Sequence, residues 1–435
     1  MEPFVRKHLS PIRVLYIGRA LEGAAYSSLM PFILLHFMKT LGLTAVASGF
    51  VISAREMVPI FTAIAMGWAI SKISRRDALV ASLSALCLAS LVFKTGLAGM
   101  PGLFAAALLS GLAYSAMRIA FASSIPDFME KEESVQGFAM LHSSANIGYA
   151  IGPLLSGYWV AKQDYASAFW VAIGLYLLAA VTLSFGLPRT AGKAGAQEPA
   201  SIREIGSQLG WTGALVLFSV FAILFVNGIR VQIDLLGLAK YFVDYFHSTT
   251  ATSLYWTIQS LAIVFLVPMS GRVMKSWPVK PLFYAYLAGS VISAMAYVSL
   301  GFFGPESLVS GFVVMTALSI LGECLWAPCM GAIFLHLVGK RQMGLIFGIS
   351  STVLALGLAL GSSVGGVMLD KALSRQFLPF YWQTLGMISL PAFAALALLG
   401  FVALRLYLKR EQGQLSQAVM ASQEQALKEP MATVS

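Results

Sequence analysis

Charge is scarce in this sequence. Only 11% of its 435 residues are Asp, Glu, Lys or Arg, where a soluble chain carries about a quarter. Cysteine is scarcer still. Cys87, Cys324 and Cys329 are odd in number and sit inside apolar runs, so they read as small packing residues with no disulfide framework. No Gly-Lys-Ser/Thr phosphate loop is present, which leaves ATP-driven pumping unsupported. No His/Cys/Asp cluster has metal-ligand spacing. Nothing suggests an enzyme, and no metal or other cofactor is expected. The opening MEPFVRKHLSPIR is short and basic and has no cleavable signal pattern.

Apolar residues fill the space that charge leaves. They make up 58% of the chain, and the mean hydropathy is +0.79. About twelve stretches are long enough to cross a bilayer as helices, at approximately 12–37, 45–70, 78–98, 101–125, 135–161, 167–187, 211–236, 251–274, 281–303, 307–337, 342–369 and 380–406. The longest polar connection, 189–210, divides them six and six. The expected fold is an all-α polytopic membrane protein with twelve transmembrane helices in two pseudo-symmetric six-helix bundles. Its parts are an N-terminal bundle (1–188), a cytoplasmic central loop (189–210), a C-terminal bundle (211–410) and a Gln-, Ala- and Ser-rich tail (411–435) expected to be disordered.

The net charge of +10 follows topology. With both termini cytoplasmic, 19 of the 29 Lys and Arg fall in inside segments, 6 in outside segments and 4 within spans. That excess is the positive-inside rule, and it accounts for the basic chain without nucleic acid. The expected location is the cell (inner) membrane, and the expected partners are the lipid bilayer, a small-molecule substrate and protons, with the chain acting as a monomer.

Two glycine stripes mark an internal repeat. Gly148-x-x-x-Gly152-Pro153-x-x-Ser156-Gly157 returns as Gly357-x-x-x-Gly361-x-x-x-Gly365-Gly366, each glycine pair 148/357 and 152/361 being 209 positions apart. Small residues four apart share a helix face and let helices approach closely in lipid. A fixed interval implies two homologous halves. Leu109-Ser110 and Leu318-Ser319 keep the same interval, which sets Tyr114 opposite Glu323.

Six plus six spans with a long central loop resemble the major facilitator superfamily. The stripe in the fifth span resembles the antiporter motif of its drug:proton antiporter branch, with Ser156 in place of a glycine. The loop after the second span, Gly67-Trp-Ala-Ile-Ser71-Lys72-Ile-Ser74-Arg75-Arg76, is similar to the superfamily's gating motif. There Ser71 and Ser74 replace the usual Asp and Gly, which removes the usual inter-helix charge lock. The branch's fourth-span arginine position is Ala107 here, and Arg118 lies eleven residues further on. The resemblance implies alternating access, with a coupling carboxyl at the place of Glu323 in some members and an Asp near His142 in others.

A charge inside a span costs roughly 2.5–3.5 kcal/mol on insertion scales, so each needs a reason. Arg19, Glu22 and Tyr26 share one face of the first span. Arg55 and Glu56 are adjacent and so point about 100° apart. Arg230 and Asp234 form an i, i+4 pair, and Arg118, His142 and Glu323 complete the set. Glu22 is expected to neutralise Arg118 or Arg19. Glu323 has no basic residue nearby on its own helix, and low dielectric disfavours a charged carboxyl, so proton exchange is expected there. The rival reading makes it a structural partner of Arg55 or Arg230. His142 is either a packing residue or a second proton carrier. Arg19, Tyr26, Arg55, Glu56, Tyr114, Arg118, Asn146, Asn227, Arg230, Trp256, Gln259 and Trp326 are the candidates to line a cavity for an amphipathic substrate.

The reading these features favour is proton-coupled export of small amphipathic compounds. A second keeps the fold but serves an organic anion (a siderophore, a carboxylate metabolite or a lipid), including import or flipping, because arginine forks bind carboxylate and phosphate. A third, a transporter-like receptor that moves nothing, lacks a sizeable soluble domain to signal through.

Overall fold

The computed structural model describes residues 10–43, 45–162, 164–189, 202–244 and 251–428. Helix dominates them. The first half holds α1 (Pro11–Leu29), α2 (Ile33–Lys39), α3 (Ala45–Lys72), α4 (Arg75–Thr95), α5 (Gly99–Phe128), α6 (Ser134–Ala161) and α7 (Tyr165–Gly186). The second holds α8 (Ile202–Asp244), α9 (Ala251–Val273), α10 (Val279–Ser299), α11 (Leu308–Trp326), α12 (Cys329–Val338), α13 (Met343–Ser374) and α14 (Pro379–Lys428). They occupy the twelve expected stretches. Among the described residues, nine helical stretches are long and apolar enough by themselves to cross a bilayer.

Two spans are broken, and proline accounts for both. A 3-10 turn, Met30–Phe32, separates α1 from α2 at Pro31. Pro328 follows Trp326 and separates α11 from α12. Proline offers no N–H and its ring clashes with the carbonyl four residues back, here that of Cys324. The helix therefore ends one turn beyond Glu323, whose carbonyl still accepts the Ala327 N–H at 3.1 Å.

Both glycine stripes do what their spacing requires, and they do it in equivalent ways. Gly148 on α6 lies against Ala20, Gly23 and Ala24 of α1, and Gly357 on α13 lies against Phe225, Gly228 and Ile229 of α8. Those three neighbours recur at a constant offset of 205 positions. Gly152 continues the first contact toward Ser28, and Gly361 continues the second toward Gln232. Gly365 is buried. The surroundings of Pro153 and Gly157 lie outside what is described.

Two expectations about polar segments are corrected. The tail was expected to be disordered from 411, but α14 continues to Lys428. Its Gln, Ala, Glu, Leu and Lys residues are good helix formers, and they extend a span already nucleated by packing; residues 429–435 lie outside the described residues. The central loop is also partly helical, since α8 begins at Ile202 and bends at Gly210, where φ is +60°. That left-handed conformation suits glycine. The Arg410 guanidinium covers it and donates to the Leu209 carbonyl at 3.2 Å.

The halves meet at the end of the bundle where Lys and Arg cluster. Gly67 on α3 seats against Gly344 and Gly348 of α13, and Gly271 on α9 against Ala139 of α6. Lys275 pairs with Glu133 at 2.6 Å, and Lys340 donates to the Met129 carbonyl at 3.3 Å. Deeper in, Ser143 donates to the Val264 carbonyl at 2.8 Å. The Phe138 and Phe347 rings, 5.9 Å apart, close the middle of this seam.

Candidate functional site: a central cavity between the halves

Behind that seam lies a cavity of about 360 Å³, lined from both halves, within the size range of small-molecule sites. α1 contributes Arg19, α5 Tyr114 and Arg118, and α6 His142, Asn146 and Tyr149. From the second half come Leu224 of α8, Trp326 of α11, Met330 of α12, and Phe347 and Ser350 of α13. The α6 residues stand four and seven positions after His142, so one helical face presents all three. Asn146 also donates to the His142 carbonyl at 3.0 Å.

Each interior acid has a partner, though not always the expected one. Arg19 bonds Glu22 on its own helix, its other arm reaches the Tyr149 hydroxyl at 3.5 Å, and its guanidinium lies 5.6 Å from the Phe121 ring centroid. Of the two alternatives for Glu22, the structure therefore realises Arg19, and Glu22 is fully buried. Arg55 pairs with Glu56 and is itself buried, its guanidinium 5.4 Å from the Tyr26 ring and 5.1 Å from Tyr114. The Tyr26 and Tyr114 rings stack at 5.1 Å. Arg230 and Asp234 pair at 2.5 Å, both buried, beside Tyr297.

Glu323 is not isolated, which corrects the expectation of a lone carboxyl and also the rival pairing with Arg55 or Arg230. Its Oε2 stands 3.3 Å from His142 Nε2, across the seam from α11 to α6. The two atoms face each other at ion-pair distance without hydrogen-bond alignment. Both side chains keep some exposure, 30% for His142 and 19% for Glu323. Trp326 sits one turn beyond Glu323 and meets the His142 ring edge-on at 6.0 Å. A titratable pair thus bridges the halves beside the cavity.

Arg118 is the cation left over. It is exposed into the cavity, its guanidinium is 5.8 Å from the Tyr114 ring, and among the described residues no hydrogen bond or ion pair holds it. Glu22 lies within electrostatic range but is bonded to Arg19.

Several sequence candidates are structural. Asn227 donates to Ser290 at 2.8 Å and Gln259 to Ser319 at 2.9 Å, both buried and outside this cavity's lining. The Trp256 side chain lies outside what is described. In the loop motif, Lys72 folds over Trp68 at 3.5 Å, Arg76 donates to Ser184 at 3.3 Å, and Arg75 bonds Asp127 of α5 at 3.0 Å and the Ile70 carbonyl at 2.7 Å. Asp127 thus supplies an inter-helix charge lock that Ser71 cannot. Sequence reasoning missed Asp127 and Tyr149. The seven-residue spacing from His142 was a signal for Tyr149, while Asp127 offered none, because its partner is on another helix.

Two pseudo-symmetric helical halves around a shared cavity at mid-bundle are the layout of a secondary transporter. The Major Facilitator Superfamily profile matches residues 15–307. Multidrug resistance protein 2 of Bacillus subtilis is 23% identical over 359 residues, covering 79% of this chain and 84% of that protein. Multidrug resistance protein MdtH of Photorhabdus laumondii is 24% identical over 377 residues, 84% and 88%. Among solved structures, the human organic anion transporter MFSD10 (TETRAN) superposes with a TM-score of 0.67 at 15% identity, covering 88% of this chain and 98% of that one. A bacterial homologue of the iron transporter ferroportin, in an outward-facing state, gives 0.69 at 12%, 89% and 100%. The chain belongs to the Major Facilitator Superfamily. It is an integral membrane transporter.

Proposed function

We propose that the protein is a proton-coupled antiporter that exports small amphipathic compounds by alternating access, as a single chain in the inner membrane with both termini in the cytoplasm. The observation that carries this reading is the His142–Glu323 pair, which bridges the halves with His142 at the cavity wall. Its attraction is complete only with His142 charged and Glu323 ionised, so moving a proton on or off the pair changes the force between the bundles. The positive-inside distribution assigns the closed, basic end to the cytoplasm, and the bonds across that end then describe the outward-facing member of the cycle. Protonation of Glu323 would release His142, loosen the seam and favour the inward-facing form, in which substrate enters as the proton leaves. The names of the multidrug-resistance relatives support an amphipathic cargo. The cavity, lined within one chain by aromatic groups and a few polar ones, suits it.

The test uses proteoliposomes with a trapped pH dye, challenged with lipophilic cations and organic anions. Substrate-evoked proton movement that vanishes in Glu323→Gln and weakens in His142→Gln is the expected result. Full transport against a gradient by Glu323→Gln, with an unchanged pH response, would overturn the mechanism.

A further inference from the structure

The charged groups in and around the cavity come from four helices. α1 brings Arg19, α5 brings Arg118 and α6 brings His142 to the lining; behind them Glu22 bonds Arg19, and Glu323 of α11 stands 3.3 Å from His142, one turn before the lining residue Trp326. Arg19 and Glu22 satisfy each other. What remains is an asymmetric pair of vacant charges. Arg118 is permanently cationic, exposed to the cavity and held by no hydrogen bond or ion pair among the described residues. Among the described residues Glu323 has only a histidine for a partner, one that can give up its charge. The Trp326 ring lines the cavity beside it, and indole faces attract cations. Arg118 and Glu323 belong to opposite halves, and Tyr114, Phe138, Phe347 and Leu354 offer apolar surface in the same cavity.

We propose that the cavity takes a zwitterionic amphipathic compound, its anionic group on Arg118 and its cationic group at Glu323 beside Trp326. This rests on the antiport reading and refines it. An ammonium at Glu323 takes the place of His142 or of the proton, so substrate and proton compete for one carboxylate. A purely anionic cargo would instead be repelled by that carboxylate and would bind best when the pair is protonated, which favours co-transport over exchange. The anionic group also compensates Arg118, the interior arginine for which the described residues supply no ion pair.

The test measures binding to the full-length protein in nanodiscs by scintillation proximity. The probes are tritiated 6-(aminomethyl)-2-naphthoate and 2-naphthylalanine, two zwitterions of different charge separation. They are compared with 2-naphthoate, 2-(aminomethyl)naphthalene and neutral 2-naphthamide. At least one zwitterion is expected to bind ten- to a hundredfold more tightly than either single-charge analogue, the scale of one charge-assisted contact. Arg118→Gln should lower it to the level of the amine and Glu323→Gln to that of the naphthoate. Arg118→Lys should retain part of the preference, because an ammonium lacks the guanidinium fork. Zwitterions no tighter than the amine, with Arg118→Gln indifferent, would overturn the proposal. So would 2-naphthoate binding as tightly as both zwitterions. Displacement of the probe by phosphatidylethanolamine in the nanodisc, but not by phosphatidylcholine, would assign the site to a lipid headgroup and equally overturn it. The two readings fail separately. Zwitterion binding that needs both residues but evokes no proton movement removes the antiport mechanism alone. Amine-evoked proton movement lost only in Glu323→Gln, with Arg118 irrelevant, removes the zwitterion alone.

Discussion

Gly357→Ala isolates the cost of close helix approach in this fold. A methyl built on Gly357 would stand 2.5 Å from the Phe225 carbonyl oxygen, 3.1 Å from Gly228 Cα and 3.2 Å from the Ile229 nitrogen. Ordinary carbon contacts begin at about 3.5 Å, so α13 and α8 must separate by roughly 1 Å. Overpacking of this kind costs about 1–3 kcal/mol. Against it stands the gain of replacing Gly by Ala within a helix, about 1 kcal/mol. Gly174 of α7 supplies the control, because nothing lies within 4 Å of its added methyl. Gly174→Ala should therefore stabilise by up to about 1 kcal/mol, while Gly357→Ala should be neutral or destabilising by up to about 2 kcal/mol. The difference between the two variants is the contact cost. Thermal unfolding of the detergent-solubilised protein reads it, with each kcal/mol moving Tm by roughly 2–4 °C at most in a chain of this size. Gly148→Ala, the equivalent position in the first half, should cost at least as much as Gly357→Ala, because its methyl would stand closer to the Ala20 carbonyl oxygen and the Ala24 nitrogen than the Gly357 methyl to any atom. The two should add because they act in separate halves. Equal stabilisation by Gly357→Ala and Gly174→Ala would refute the reasoning, since the helices would then have room that the geometry denies.

Two further expectations concern the ends of the helices. Arg75→Leu or Asp127→Leu alone should destabilise by about 3–5 kcal/mol, because each strands a largely buried charge, whereas the double variant should recover much of the loss; a double-mutant cycle on unfolding in detergent measures this. At Asp164, which caps α7, hydrogen bonds from the Ser167 N–H at 3.0 Å and its hydroxyl at 2.5 Å hold the carboxyl below its usual range. A depressed carboxylate stabilises fully above its ordinary value and loses that contribution as pH falls through the lowered one. Acid titration of stability should therefore show a component absent from Asp164→Asn, and identical acid limbs would contradict it.

How much could be read in advance depended on the range of each interaction. The i, i+3 and i, i+4 pairs Arg19–Glu22 and Arg230–Asp234 were visible because helical geometry alone brings them together. Cavity lining by Arg19, Tyr114, Arg118, Asn146 and Trp326 was also anticipated. Asn227 and Gln259 were not separable from these, because an amide bonding a serine on a neighbouring helix has the same sequence signature as one facing a cavity.

The sequence by itself determined the spans, the division into halves and the glycine contacts. Bilayer thickness and the 3.6-residue period act locally and leave apolar segments little choice. The tail shows the limit of composition, since residues rich in Gln and Ser continue a helix once an adjoining span has nucleated it. Only the tertiary structure decided that Glu323 meets His142, that Arg75 meets Asp127 and that Arg118 finds no ion pair among the described residues. Those outcomes depend on how helices distant in sequence dock, and in the cavity on how two bundles meet across a seam. No local periodicity encodes that distance.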